Sequence, residues 1–139
     1  MKLEIPEQKK LVYRTNFSVK WGDMDAMGHV NNGMYFKYME HSRVDWFREI
    51  GFLFLPNGQA PVIANAFCNF KRQLKYPDEV LLKLYVSHPA RVTFDTWTTM
   101  ERVSEPGVVC AAGGATVLWI DTVREKAVSL PEALRELVS

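Results

Sequence analysis

Residues 34–51 read MYFKYMEHSRVDWFREIG, and the spacing of their apolar side chains decides the fold. Met34, Tyr35, Tyr38, Met39, Trp46, Phe47 and Ile50 recur three and four residues apart, the period of one helical face, and Gly51 supplies a stop. Phe36 and Val44 widen that face. So broad a stripe predicts a helix enclosed by a sheet, not one resting on an exterior. Directly upstream, Asn31 or Asn32 can cap the first turn by accepting a backbone N–H, so the helix is expected to start near Asn32.

Before the helix, residues 11–21, LVYRTNFSVKW, partly alternate polar with apolar and read as a half-buried strand ending at Gly22. After it, residues 52–61, FLFLPNGQAP, are apolar but interrupted by Pro56, Gly58 and Pro61, a packed connection. Residues 62–76, 79–87, 92–103 and 108–121 are rich in Val, Thr, Phe, Tyr and Trp. KYPDE, SHPAR and SEPG separate them as turns, which predicts an antiparallel meander. The tail SLPEALRELVS has capping-box spacing from Ser129 to Glu132, Pro131 in the first turn and an apolar face of Leu134, Leu137 and Val138. A short terminal helix is expected. Strand, long helix, then four strands predicts an α+β domain in which a curled antiparallel sheet wraps one long central helix.

The 139 residues, 47% hydrophobic and 24% charged, are ordinary usage for one compact domain, residues 1–139, without linker or repeat. Seventeen Lys and Arg against sixteen Asp and Glu leave a formal charge of +1, no excess with which to neutralise a phosphate backbone, so nucleic acid is not an expected partner. The longest apolar stretches, such as residues 108–120, fall short of the roughly 20 residues that span a bilayer, and the start MKLEIPEQKK has no apolar signal core. A soluble cytoplasmic protein with no membrane partner is expected. Cys68 and Cys110 lack C-x-x-C spacing and read as two buried free thiols.

The densest polar cluster, WGDMDAMGHVNN at residues 21–32, stands immediately before the helix. The first N–H groups of a helix lack internal partners and carry the positive end of its dipole, so they can hold a developing oxyanion. A carboxylate just upstream can face the same atom as nucleophile or general base. That pairing suits hydrolysis of an activated acyl group and needs no metal.

Within this loop, Asp23-Met-Asp25-Ala-Met-Gly28-His-Val30, followed by Tyr35, resembles the D-x-D-x-x-G-x-V pattern of hotdog-fold thioesterases, in the branch similar to 4-hydroxybenzoyl-CoA thioesterase. The order of loop, long helix and four antiparallel strands extends the resemblance over most of the chain. It implies the hotdog fold and hydrolysis of an acyl-CoA to carboxylate and CoA, with no cofactor beyond the CoA moiety of the substrate. It also implies paired subunits, as homodimer or homotetramer, with active sites at the dimer interface. Residue by residue, it implies Asp25 as the catalytic carboxylate and Asn32 or Gly33 as the helix start that binds the carbonyl oxygen. Gly28 matches the motif glycine, and Asp23 a residue that holds the loop. His29 is a further catalytic candidate. Lys71, Arg72 and Arg91 fall in regions that in the family lie near the nucleotide end of CoA, often from the neighbouring subunit, where cations meet phosphates.

Each residue also fits a plainer role. Asp25 can close an Asx turn, His29 can be a hydrogen-bonded loop residue, Asn31 and Asn32 can be caps alone, and Lys71, Arg72 and Arg91 can be solubilising charge. Gly33 in the first turn costs little and leaves room for an acyl group. His41 beside Glu40, and Asp45 with Arg48 and Glu49, read as a solvated face; Met24, Met27, Met34 and Met39 read as core. Asp23, Asp25 and His29 lack any metal-binding spacing, so no metal is expected. Three other readings are weighed, one of them a metal-binding or purely structural oligomer, for which no residue pattern speaks. A hotdog enoyl-thioester hydratase would need an Asn-Pro pair and a different Asp–His spacing, and a non-catalytic acyl-thioester binding module would not need Asp25. Either CoA or acyl carrier protein can carry the acyl group.

Overall fold

A computed structural model describes residues 3–139. In chain order it contains β1 (Lys10–Ser18), a single 3-10 turn (Trp21–Asp23), α1 (Asn32–Ile50), β2 (Gln59–Phe70), β3 (Glu79–Ser87), β4 (Thr93–Arg102), β5 (Val109–Asp121), β6 (Lys126–Ala127) and α2 (Glu132–Val138). The strands form one six-stranded antiparallel sheet in the order β1-β3-β4-β5-β2, with β6 paired to β5. Such an antiparallel sheet with two helices is the α+β class expected from the sequence.

The long helix forms where the apolar period places it. Asn31 is its N-cap, accepting the Gly33 N–H at 2.8 Å, and Gly51 ends it in a left-handed conformation (φ +80°), as a C-terminal glycine does. Tyr35, Tyr38, Met39, Ser42, Arg43, Trp46 and Phe47 are its buried face. Two core clusters lie along it. Tyr35, Tyr38 and Met39 pack with Val80 and Leu82 of β3, while Trp46 and Phe47 pack with Leu84 and Val86 farther along the same strand. Phe36, however, is exposed and Val44 only half-buried. Within this chain α1 is therefore covered on one side, not enclosed: the residues that widen its stripe are left partly or fully open to solvent.

Gly113 sets how closely helix and sheet approach. A Cβ there would fall 2.5 Å from the Phe67 carbonyl oxygen and 2.7 Å from Met39 Sδ, so only glycine lets α1 seat over β5 at this point.

Several sequence expectations are corrected. The first strand stops at Ser18, and Trp21 is exposed in the 3-10 turn. The second strand begins at Gln59, so Pro61 lies inside it; β2 is an edge strand, where a missing N–H is tolerated. It ends at Phe70, and residues 71–76 belong to a connection. β2 and β3 are not neighbours, so KYPDE is no hairpin turn: the meander runs β3, β4 and β5 and is continued by the short β6. The two-residue β6 has too little pattern to be read. In α2 the N-cap is Pro131 with no side-chain cap; Ser129 Oγ instead accepts from Arg91 Nη1 at 3.3 Å. Cys110 is buried and Cys68 half-buried, both free. Of the four methionines read as core, Met39 is buried, Met24 and Met34 are half-buried, and Met27 is exposed.

Candidate active site

The loop between the 3-10 turn and α1 folds back on itself. Met24 and Val30 form an isolated antiparallel bridge, the Asp25 N–H donates to the His29 carbonyl at 2.8 Å, and the Gly28 N–H returns to the Asp25 carbonyl at 3.1 Å. Gly28 has φ +77°, the left-handed conformation the turn requires. The loop is then fastened at its base. Val30 N–H donates to the Leu74 carbonyl at 2.8 Å and Asn31 N–H to the Asp23 carbonyl at 2.9 Å. Arg102 braces that support from below, donating to Asp78 Oδ2 at 3.1 Å and to the Gln73 carbonyl.

Asp25 is exposed, and its carboxylate is asymmetric. Oδ1 accepts the Met27 N–H at 2.9 Å and the His29 N–H at 3.4 Å, an Asx turn, while no hydrogen bond reaches Oδ2 among the described residues. One oxygen thus fixes the loop and the other faces outward. Asp23 is the loop-holding carboxylate expected: its Oδ2 accepts the Tyr38 hydroxyl at 2.7 Å and the Lys20 N–H at 3.0 Å. Burial, and then the Asp23 carboxylate, push the Tyr38 pKa far above its ordinary value, so the phenol stays a donor. Tyr35, the early helix tyrosine, accepts the Leu74 N–H at 3.1 Å and stacks edge-on against Phe70 at 5.0 Å.

At the helix start, the two oxyanion candidates differ. The Gly33 N–H is already held by the Asn31 side chain, whereas the Asn32 N–H has no protein acceptor among the described residues. The cap consumes one candidate and leaves the other. The His29 ring is half-buried and makes no hydrogen bond among the described residues.

The three cations expected at the nucleotide end are not together. Lys71 and Arg72 donate their backbone N–H groups to the Cys110 carbonyl and enter the segment that supports the loop through Leu74. Arg91 follows the opposite end of β3, a nine-residue strand about 27 Å long, where its carbonyl accepts from Leu130 and Arg135. His41, Glu40, Asp45, Arg48 and Glu49 are exposed, the solvated face expected. No cluster of potential metal ligands occurs among the described residues. Sequence reasoning missed Tyr38 as the partner of Asp23, and it missed Arg102. Nothing in the local sequence at the end of β4 marks the connection that Arg102 braces.

A family model described as the thioesterase-like superfamily matches residues 19–138. A candidate esterase of Aquifex aeolicus is 33% identical over 86 residues, 60% of this chain and 66% of its own length. A solved structure of a candidate acyl-CoA thioesterase from Xanthomonas campestris is 35% identical, with a TM-score of 0.73, 81% of this chain covered and 96% of that one. A gentisyl-coenzyme A thioesterase structure is 25% identical, with a TM-score of 0.77 and coverages of 88% and 99%.

Proposed function

We propose that this chain, which belongs to the thioesterase-like superfamily, hydrolyses an acyl-CoA thioester to a carboxylate and free CoA. Asp25 is the reacting carboxylate and the first turn of α1 the oxyanion site. The observation that carries this reading is the division of labour at Asp25. Its Oδ1 is fixed by two loop N–H groups while, among the described residues, its Oδ2 is unengaged, on a loop that leads directly into a helix start whose Asn32 N–H is likewise unengaged. An oriented carboxylate with a spare oxygen can take a proton from water, or attack the thioester carbon itself, while a helix N–H holds the negative charge that develops on the carbonyl oxygen. Collapse of the tetrahedral intermediate expels the CoA sulfur, which leaves as the thiol after protonation; where Asp25 itself attacks, the acyl group stays on its carboxylate as a mixed anhydride, which water then cleaves to the free carboxylate and Asp25. The names of the Xanthomonas and gentisyl-coenzyme A relatives support CoA as the carrier.

Lys71 and Arg72 are assigned to the CoA phosphates, since they leave the sheet at the loop's end of the molecule; Arg91 would serve only a site to which another subunit contributes. The hotdog arrangement, a cytoplasmic location and a homo-oligomer belong to the same proposal. Among the described residues no helix is long and apolar enough to cross a membrane.

The test is thiol release from a panel of short, long and aromatic acyl-CoAs by the native protein and by Asp25→Asn, with folding of both confirmed. Turnover of at least one thioester, reduced about 100-fold or more in the variant, is the expected result for loss of a base or nucleophile. Binding without turnover would favour an acyl-thioester binding module. Equal activity in the variant would reduce Asp25 to its Asx turn.

A further inference from the structure

The connection from β2 to β3, residues 71–78, lies outside the sheet, yet it holds both flanks of the Asp25 loop. The Leu74 carbonyl accepts the Val30 N–H at 2.8 Å after the tip of the loop, and the Tyr76 N–H donates to Met24 Sδ at 3.4 Å before it. Met24 and Val30 are themselves bridged. Whatever fixes this connection therefore fixes the frame on which Asp25 stands.

Arg102, the last residue of β4, is placed to fix it. The peptide between Gln73 and Leu74 is gripped on both sides: its carbonyl accepts from Arg102 Nη2 and its N–H donates to the Tyr35 hydroxyl at 3.1 Å. The next peptide carries the Leu74 carbonyl, and its N–H, that of Lys75, donates to Asp78 Oδ2 at 2.9 Å, the same oxygen that accepts Arg102 Nε at 3.1 Å. One guanidinium thus enters the clamps on two successive peptides, which takes a planar fork of several fixed donors. The Arg102 and Asp78 side chains are each 18% exposed, so water competes weakly for their pair, whereas Glu105, which accepts from Nη1 at 2.8 Å, is 47% exposed. The strand ends do not depend on this clamp. The Val19 N–H reaches the Asp78 carbonyl at 2.9 Å and the Val103 N–H the Glu79 carbonyl at 2.8 Å, both through backbone alone.

We propose that Arg102 is a positioning residue for the reaction: it sets the place of the Asp25 carboxylate through the 73–78 turn, Leu74 and Val30, without touching substrate. The inference rests on the hydrolytic reading above and adds a residue to it. A reacting group displaced by about 1 Å can lose on the order of 100-fold in rate, so slack in this turn reaches the chemical step. Substrate binding is spared, because Lys71 and Arg72, assigned to the CoA phosphates, are held by the Cys110 carbonyl and not by Arg102. Loss of the guanidinium therefore lowers kcat with little change in KM, and loosens Val30 more than it loosens the sheet.

The experiment measures thiol release by the native protein, Arg102→Met, Arg102→Lys, Asp78→Asn, the double variant Arg102→Met with Asp78→Asn, and Glu105→Gln. The substrate is the acyl-CoA that the native protein cleaves fastest, and each protein is assayed well below its melting transition. Amide hydrogen exchange of the same proteins is followed at Val30 and, for the sheet, at Leu82 and Leu84 of β3. Arg102→Met should lower kcat about tenfold or more with KM held within about twofold, and Arg102→Lys, which keeps the charge but not the fork, should recover part of the loss. Exchange at Val30 should quicken by about tenfold or more in Arg102→Met, while that at Leu82 and Leu84 follows overall stability alone. The double variant should lose little more than the worse single one, since both residues act through one turn, and Glu105→Gln should match the native protein. A native kcat in Arg102→Met, or Val30 exchange that changes only in step with Leu82 and Leu84, overturns the proposal. So does a Glu105→Gln as damaging as Arg102→Met, because the effect would then bypass the 73–78 turn. If the native protein releases no thiol from any acyl-CoA, the hydrolytic reading falls; faster exchange at Val30 in Arg102→Met then still upholds the hold of Arg102 on the loop, and unchanged exchange removes it. If Arg102→Met does not fold, Arg102→Lys and Asp78→Asn carry the same comparison.

Discussion

Tyr38 ties the loop to the helix through a single hydroxyl, donated to Asp23 Oδ2 at 2.7 Å. Removing it in Tyr38→Phe leaves the Asp23 carboxylate with the Lys20 N–H, at a cost of about 1 kcal/mol or somewhat more for a hydrogen bond to a charged group. The loop that carries Asp25 should loosen, so kcat is expected to fall several-fold while the fold survives, read from steady-state kinetics beside a urea melt. The same residue predicts a pH dependence. Its pKa is raised above the ordinary 10.0 by burial, then by Asp23, so the native state keeps a proton that the unfolded chain releases above pH 10. The contribution of Tyr38 is whole below that pH and declines as pH rises past it. Tyr38→Phe should therefore lose less stability than the native protein between neutral pH and alkaline conditions. Parallel curves for the two would show that the phenol titrates normally.

The first turn of α1 serves two masters, and a substitution at its cap separates them. Asn31→Asp retains a side-chain oxygen for the Gly33 N–H and is a favoured N-cap. It also sets a negative charge beside the Asn32 N–H, where the reaction would develop another. Melting temperature is expected to hold or rise while kcat drops by about tenfold or more, since oxyanion stabilisation is electrostatic. A variant as active as the native protein would place the oxyanion elsewhere. Where α1 seats on the sheet, Gly113→Ala in β5 should destabilise by about 1–3 kcal/mol, as overpacked cores do, because a Cβ at this position collides with Met39 of the helix and with the Phe67 backbone of β2. Elements of this kind were legible to different degrees. α1 was read nearly to its ends because its cap, period and stop all lie in local sequence, and Asp23 and Asp25 stand on the loop where the motif put them. What stayed hidden depends on contacts between distant residues. Nothing near Pro61 says that its strand is an edge, nothing in KYPDE says that its flanking strands are strangers, and nothing in the local sequence says that the length of β3 lies between Arg91 and the pair Lys71 and Arg72.

At the scale of the molecule, β2 is the element this chain leaves unfinished. A strand with one face on a core alternates in burial, as β3 does, yet residues 62–66, VIANA, are exposed without interruption. Val62 and Ile63 are 37% and 41% exposed, on an edge that carries no charged side chain from Gln59 to Phe70. Proteins blunt such edges with charge, or use them to add a strand. Antiparallel pairing of two β2 strands about a twofold axis would extend the sheet and bring the uncovered side of α1 toward its counterpart, satisfying the two unfinished surfaces at once. Ala66→Lys tests this without touching the loop or Arg102. Each of the two paired edges would then carry a lysine with no β2 anion to meet it, which should convert a dimer to a monomer in light scattering at low salt, with partial recovery as salt screens the repulsion. Turnover should fall together with the dimer if each site takes residues from both chains, and the two measurements made over a range of protein concentration should then superimpose. A native protein that scatters as a monomer, or an Ala66→Lys variant that remains dimeric, would assign the exposed strand to some other partner. A monomeric variant with undiminished kcat would leave the pairing in place but confine the active site to a single chain.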